Sequence, residues 1–275
     1  MSIVKTDVPM TWALANQTID ALLSAYPFLR SEILTDTRFG RNLRAIVIGQ
    51  GPRQVLFTAA HHANEWITAT VLLKFAEEFA QAVKTGGQIF GQDAAALAQN
   101  VTLILTPMVN PDGVEIALSG SRAAGRYETL VWQLGGDIPG RWQANARGVD
   151  INHNFDAGFS TPCPGMPDAP APRRYRGVSP ESEPETAALC ALCRKHSFRH
   201  VTALHTQGEE IYWDYGEHTP PQSRMMAEIL ASASGYTVSS PEGAASFGGF
   251  KDWFCKTFHR PGFTFECGRG VNPLP

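Results

Sequence analysis

The sequence predicts an α/β domain in which helices pack on a mostly parallel or mixed sheet. Short runs rich in β-branched and aromatic residues alternate along the chain with longer segments of helical periodicity. With 275 residues and 43% apolar content, the chain is large enough to bury a substantial core. One large domain is therefore favoured over two small ones.

The elements follow in order along the chain. A helix is predicted over residues 66–83, and a second begins where Ser182 and Glu185 have the spacing of a capping box, with Pro184 in the first turn. The Pro- and Gly-rich residues 158–180 are too long for a routine connection and predict a surface excursion at the rim of a site. The predicted strands are residues 43–49, 54–60, 100–108, 200–206 and 262–267.

Charge and composition exclude several classes of partner. The formal net charge of −3, with Lys and Arg scattered along the chain, gives no basic surface for nucleic acid. No apolar run approaches 18 residues and the first residues lack an apolar signal segment, so we expect no membrane partner and a cytoplasmic location. The odd number of five cysteines argues against a disulfide framework. For Cys190 and Cys193, helix packing is favoured over half a zinc site or a redox pair.

Four residues near the ends of predicted strands carry the candidate chemistry. His62 and Glu65 lie three apart in FTAAHHANEWITAT, where a strand passes into a helix. Taken alone, this pair is better explained by a structural role, in which His62 caps a turn and Glu65 complements the helix dipole. His205 and Glu266 each end a further predicted strand. Because open α/β sheets build sites beyond the carboxyl ends of their strands, a catalytic zinc site with three protein ligands becomes the better interpretation.

The motifs HHANEWIT, GVDINHNFDAGF, ALHTQ and FTFECG, in this order over nearly the whole chain, resemble the metallocarboxypeptidase family of zinc peptidases. The resemblance implies one zinc ion bound by His62, Glu65 and His205, with Glu266 as the catalytic general base. It also implies that residues 1–275 form one zinc peptidase domain, a three-layer α/β/α fold around a mixed sheet of about eight strands.

The sequence departs from the family pattern at three places. Asn152 is followed by His153 where carboxypeptidases have an arginine, and imidazole cannot reproduce the planar fork that clamps a terminal carboxylate. Gln143 follows Trp142 where the family commonly has its oxyanion arginine, so an amide, Arg141 or Arg147 must take that part. The active-site tyrosine of the family is not evident in the segment before Gly248.

The segments WQANARGVDINHNFDAGF, HTQGEEIYWDYG, GGFKDWF and GRGVNPLP resemble the bacterial γ-D-glutamyl-diamino acid endopeptidases, a branch that cuts peptidoglycan stem peptides. In that branch histidine after the asparagine is expected. Lys251 stands where relatives selective for basic side chains place an acid, so it should select an anionic substrate group, such as the distal carboxylate of meso-diaminopimelate. The distal ammonium would pair with Glu209, Glu210 or Asp214; the alternative is that all these charges are merely solvated. The candidate substrate-binding residues are Asn152, His153, Lys251, Gln207, Gln143, Arg147 and Glu210.

Three functions are therefore open. The leading hypothesis is a cytoplasmic zinc peptidase that acts on muropeptides during cell-wall recycling. The alternatives are a carboxypeptidase for acidic C-terminal residues, with His153 and a nearby arginine on the carboxylate, and a catalytically weak muropeptide-binding relative. The chain ends nine residues after Glu266, where the family usually continues into a further helix, so that helix is expected to be missing or truncated.

Overall fold

The computed structural model describes residues 2–138 and 140–275. Its main feature is one eight-stranded mixed sheet with the strand order β1-β2-β6-β3-β7-β10-β8-β9. The predicted mixed sheet of about eight strands is confirmed. The strands are β1 (Arg30–Asp36), β2 (Asn42–Ile48), β3 (Arg53–Ala59), β6 (Val101–Thr106), β7 (Phe198–His205), β8 (Glu210–Tyr212), β9 (Thr237–Ser239) and β10 (Gly262–Glu266), and a separate small hairpin pairs β4 (Gln88–Ile89) with β5 (Gln92–Asp93).

The four central strands run parallel. β3 pairs in parallel with both β6 and β7, and β7 pairs in parallel with β10. The outer strands β2 and β8 join this core antiparallel. Because the parallel strands point the same way, the carboxyl ends of β3, β7 and β10 meet at one edge of the sheet, and this is where the site lies.

Helices cover both faces, as the three-layer prediction requires. Side chains alternate between the faces with the period of two that a strand imposes. On β2, for example, Leu43 and Ala45 enter one core and Ile46 and Ile48 the other. The helices are α1 (Trp12–Ala25), α2 (Ile67–Thr85), α3 (Ala94–Asn100), α4 (Pro111–Ser119), α5 (Glu128–Gln133), α6 (Pro184–Lys195), α7 (Ser223–Ser234) and α8 (Phe250–Phe258).

The two cores differ in the helices they use. α1 and α2 pack on one face, where residues such as Leu22, Leu73 and Phe79 are buried. α6 and α8 pack on the other, with Leu189 and Phe254 in the core. Cys190 and Cys193 belong to this second core as free thiols, and burial raises the pKa of both, so the prediction of helix packing is confirmed.

The predicted capping box at the start of α6 is wrong. The residue that precedes the helix is Glu183, no side chain caps it, and Pro184 is the first helical residue as predicted. Ser182 instead donates a hydrogen bond to Glu183 Oε1 and accepts one from Asn154 Nδ2. The hydroxyl of Ser182 therefore bonds to Glu183 and to Asn154 in a distant loop, and not to the start of the helix as the local spacing predicted.

Residues 158–180 contain no helix or strand, which fits the predicted excursion, and Arg174 from this segment reaches the rim of the site. Within the described parts of the chain, none of the helices combines the length and apolar character needed to cross a membrane.

Candidate metal centre

The four predicted residues of the site meet at the carboxyl edge of the parallel strands. His205 is the last residue of β7 and Glu266 is the last residue of β10, and the two are direct partners in the strand register. β3, on the other side of β7, ends at Ala59, and His62 follows it after a short turn. Three neighbouring strands thus bring His62, His205 and Glu266 to one place at the edge of the sheet.

The turn after β3 is held in an unusual conformation. Ala60 has φ of 50°, a left-handed value that costs a residue with a Cβ about 1 kcal/mol or more. Its N–H donates to Thr68 Oγ1 (2.9 Å), and the Thr68 hydroxyl donates to the carbonyl of Glu65 (2.7 Å). These bonds fix the loop to the first turn of α2, so that Glu65, at the end of the 3₁₀ turn Ala63–Glu65, faces His62.

His62, Glu65 and His205 form a cluster whose ligand atoms all lie within 4.8 Å of one another. Nδ1 of His62 lies 2.9 Å from Glu65 Oε1, and Nδ1 of His205 lies 3.0 Å from Glu65 Oε2. Burial alone would raise the pKa of Glu65, but the two imidazoles outweigh it and lower the pKa to about 2. Two imidazoles and one ionised carboxylate are the donor set of many catalytic zinc sites, so the cluster fits a zinc ion.

Asp150 is a member of the site that the sequence did not reveal. Its Oδ1 lies 3.3 Å from Nε2 of His62, on the side of the ring opposite Glu65. The N–H of Arg174 donates to Asp150 Oδ2 (2.8 Å) and the N–H of Asn152 to Oδ1 (3.1 Å). Burial favours a neutral His62, but Glu65 and Asp150 together raise its pKa well above the usual value. Asp150 therefore orients His62 and adds negative charge that favours a bound cation.

Glu266 faces the cluster from β10. Burial raises the pKa of Glu266 to about 7, an effect that nearby His205 opposes and nearby Glu65 reinforces. A carboxylate with this pKa exchanges a proton readily near neutral pH, as a general base must. A dication bound in the cluster would lower the value, because it stabilises the charged form.

A cavity of about 220 Å³ opens in front of the cluster. Apart from the cluster, Thr206 and Glu266, the residues that line it are Gln143, Asp150, Asn152, His153, Arg174, Tyr212, Ala245, Phe247, Gly249, Lys251, Asp252 and Thr264. Of the seven predicted substrate-binding residues, the structure brings four to this cavity: Gln143, Asn152, His153 and Lys251.

The remaining three predicted substrate residues do not line this cavity. Arg147 forms an ion pair with Glu183 (3.0 Å), which holds its guanidinium away from the site, so a role for Arg147 as oxyanion donor is not supported. Gln207 is exposed on the loop after β7. Glu210 lies directly across from Glu266 in the antiparallel pairing of β8 with β10, and the charge of Glu210 contributes to raising the pKa of Glu266.

Lys251 is buried rather than solvated, with 3% of its surface exposed. Its Nζ donates to the carbonyl of Asp214 (2.6 Å) and pairs with the carboxylate of Asp252. Burial raises the pKa of Asp252, and Lys251 opposes this effect. An ammonium has three N–H donors, so one is left for a ligand in the cavity. Of the other two acids considered for a substrate ammonium, Glu209 is paired with Arg269 (2.7 Å), and Asp214 contacts Lys251 through its carbonyl.

His153 is a neutral group in this structure. Burial lowers its pKa below the usual value, and its Nδ1 lies 2.9 Å from the carbonyl oxygen of Phe247. A carbonyl only accepts, so Nδ1 carries the proton and Nε2 is left as an acceptor. A neutral ring with an acceptor nitrogen is a poor ligand for a carboxylate.

Arg174 and Tyr212 also line the cavity without having been predicted. Arg174 lies in an irregular segment, and Tyr212 lies on the short strand β8, so neither had a spacing that ties it to the metal ligands. The only signal available was proximity in sequence to Asn152 or to His205. Tyr212 brings a phenol to the cavity.

A larger concavity of about 660 Å³ lies at the amino ends of the strands, lined by residues such as Arg30, Gln54 and Lys195. It contains no cluster of ligand atoms among the described residues. The cluster of metal-binding side chains therefore identifies the site, whereas the volume of the cavity alone would not.

The fold and the cluster define an α/β protein with a single metal centre of two imidazoles and one carboxylate. A family model described as zinc carboxypeptidase matches residues 15–273. The chain belongs to the zinc carboxypeptidase family and is a zinc metallopeptidase.

Individual relatives refine this picture. The γ-D-glutamyl-L-diamino acid endopeptidase 1 of Lysinibacillus sphaericus is 36% identical over 279 residues, which cover 97% of this chain and 70% of that protein. Carboxypeptidase A1 of Bos taurus is 24% identical over 268 residues, which cover 90% of this chain and 59% of that protein. The solved structure of thrombin-activatable fibrinolysis inhibitor aligns with a TM-score of 0.76 at 18% identity, over 97% of this chain and 68% of that chain, and supports the fold.

Proposed function

We propose that this protein hydrolyses the bond between γ-D-glutamate and a diamino acid in peptidoglycan stem peptides. The observation that carries the proposal is the placement of Glu266 directly beside His205 in the strand register, facing the cluster that His205 forms with His62 and Glu65. The similarity to the Lysinibacillus sphaericus endopeptidase, at 36% identity over 97% of the chain, supports this substrate class.

His62, Glu65 and His205 hold the metal in this proposal. When bound there, zinc polarises the scissile carbonyl and lowers the pKa of a water molecule. Glu266 accepts the proton of the attacking water and returns it to the leaving amine, so that no covalent bond to the protein forms. Asp150 lies at Nε2 of His62 and favours a proton on that nitrogen, so that Nδ1, which faces Glu65, is the nitrogen that would bind the metal.

The developing oxyanion needs a hydrogen-bond donor, and we assign this role to Gln143. It lines the cavity, whereas Arg147 is held by Glu183 and Arg141 is exposed outside the cavity lining. A neutral amide stabilises negative charge less than a guanidinium does, so a larger share of that task falls on the metal.

The surroundings of His153 argue against ordinary exopeptidase activity. A terminal carboxylate would meet an acceptor nitrogen on a neutral ring instead of the fork of an arginine. An amide N–H of a continuing peptide chain, in contrast, can donate to this nitrogen. His153 therefore favours substrates in which the chain continues beyond the cleaved bond.

Lys251 supplies the preference for diaminopimelate. Its free N–H donor in a buried site favours an anionic group on the substrate, and meso-diaminopimelate carries a distal carboxylate where lysine carries none. We place this activity in the cytoplasm, in the recycling of cell-wall peptides. The five free cysteines, three of them buried, are compatible with a reducing compartment.

Digestion of the tetrapeptide L-Ala-γ-D-Glu-meso-diaminopimelyl-D-Ala by the zinc-loaded protein tests the proposal. Release of L-Ala-D-Glu together with diaminopimelyl-D-Ala is the expected result. Release of D-Ala alone would assign the protein to the exopeptidases, and tight binding without cleavage would make it a muropeptide-binding protein. A Glu266→Gln variant with the same zinc content is the matched control for contaminating peptidases.

A carboxypeptidase for acidic C-terminal residues is the second candidate, and the position of Arg174 favours it. Arg174 lines the same cavity as His153 and is an exposed residue, and in this candidate its guanidinium binds the terminal carboxylate. Assay of peptides ending in L-Glu or L-Asp, with Arg174→Ala as the matched variant, decides this candidate.

A further inference from the structure

Residues 268–275 fold back against the metal centre. The last strand ends at Glu266, and the following segment turns so that Leu274 is buried beside Gly268 and Gly270. Asn272 and Pro273 pack against Gly140, where a Cβ would stand only 2.8 Å from Pro273 Cδ. The carbonyl of Gly140 in turn accepts a hydrogen bond from Asn64 in the metal-binding loop (2.8 Å).

The side chain of Asn272 makes three polar contacts, all of them at the metal centre. Thr206 Oγ1 donates to Asn272 Oδ1 (2.7 Å), and Asn272 Nδ2 donates to the carbonyl of Thr206 (3.0 Å). The carbonyl contact fixes which end of the amide is the donor. Asn272 Nδ2 also lies 3.4 Å from Glu65 Oε1.

The contact with Asn272 completes a symmetrical set of partners around Glu65. Oε2 faces the ring of His205 and the N–H of Thr206 (3.3 Å), and Oε1 faces the ring of His62 and the amide of Asn272. Each carboxylate oxygen therefore has one imidazole and one neutral N–H donor. A metal ion takes the imidazole nitrogens as its own ligands, so the two N–H donors are the groups that keep the carboxylate plane oriented.

We propose that Asn272 is a positioning residue for Glu65, supplied by the tail that follows β10, and that it increases the affinity and fixes the geometry of the metal site. The inference rests on the proposed ligand set of His62, Glu65 and His205. Thr206, which follows the ligand His205, bonds both the oxygen and the nitrogen of the Asn272 amide. The orientation of Glu65 is therefore coupled to the strand that ends at His205.

The test measures zinc affinity by competition with a chromophoric chelator, and the visible spectrum of the cobalt-substituted protein. Asn272→Ala removes the amide, and Asn272→Leu removes its polar atoms while it keeps the same number and branching of heavy atoms. Val271→Ala is the matched control, because Val271 is the neighbouring residue and is 85% exposed. We expect both Asn272 variants to lose about 10- to 100-fold in zinc affinity and to show a shifted cobalt spectrum, with Val271→Ala unchanged in both.

The other outcomes would contradict the inference, and they distinguish failure of the metal site from failure of the role of Asn272. Failure of the unchanged protein to bind one zinc ion, or unimpaired binding by His62→Ala, would remove the metal site itself. Normal zinc affinity and an unshifted cobalt spectrum in both Asn272 variants would remove only the role of Asn272. An equal loss in Val271→Ala would show that loosening of the tail, rather than the amide, is responsible.

Discussion

Replacement of Glu266 by glutamine removes the proposed base and leaves the shape of the site unchanged. Glutamine has nearly the volume of glutamate and keeps a polar group at the end of β10, beside His205. It cannot accept a proton from water near neutral pH. Zinc affinity should be largely retained, because Glu266 is not among the three residues whose ligand atoms converge.

The size of the effect follows from the position of Glu266. Because one carboxylate serves both proton transfers, to and from the reacting groups, the loss should lie at about 10²- to 10⁴-fold in kcat. This range corresponds to roughly 3–5 kcal/mol of transition-state stabilisation. KM should change little, since a water molecule and not the peptide contacts the base.

The assay is release of L-Ala-D-Glu from the stem tetrapeptide, followed by chromatography, with zinc content measured in the same samples. The pH profile gives an independent readout. Burial raises the pKa of Glu266 to about 7 and a bound dication lowers it, so activity of the zinc-loaded wild type should fall as the pH drops below the lowered pKa. The glutamine variant should lack this acidic limb. Less than a tenfold loss of kcat at equal zinc content would refute the role of Glu266.

Three further predictions concern specificity and stability. Lys251→Ala should reduce turnover of diaminopimelate peptides about 10-fold more than turnover of lysine peptides, because only the former carry the distal carboxylate; equal losses in kcat/KM would contradict this. Burial raises the pKa of Glu185 from 4.5 to about 8, so its contribution to stability is lost as pH rises from 4.5 toward 8, and Glu185→Gln should be more stable than wild type by roughly 5 kcal/mol at pH 8.5 but not at pH 5 in urea unfolding. Leu56→Ala, at a fully buried position of the central strand β3, should cost about 2–5 kcal/mol in the same measurement, and a loss below 1 kcal/mol would mean that the core repacks.

The behaviour of Glu185 also shows a limit of local sequence rules. Its spacing from Ser182 predicted a reciprocal cap, yet both carboxylate oxygens of Glu185 are buried without a hydrogen-bond partner among residues 2–138 and 140–275. Ser182 bonds Asn154 and Glu183 instead. A rule based on three residues of separation cannot include a partner that lies 28 residues away.

Most of the residues that line the cavity around the metal cluster could also not be inferred from the local sequence. The sequence analysis proposed Arg147, which lies near the Asn152 motif, and did not consider Arg174. The fold decides between them, because buried Glu183 takes the guanidinium of Arg147 and leaves Arg174 at the cavity. Asp150 is two residues from Asn152 and still escaped notice, since its partner His62 lies on a different strand end.

The sequence by itself determined the layered α/β fold and the position of the metal centre. Both depend on short-range patterns: alternation within strands, helical spacing between them, and His62, His205 and Glu266 at strand ends, which parallel strands bring to one edge of the sheet. Only the tertiary structure decided which further groups contact this centre, such as Asp150 and Asn272. Their contacts cross long stretches of chain through irregular segments, where side-chain position depends on what packs nearby and not on any periodic pattern.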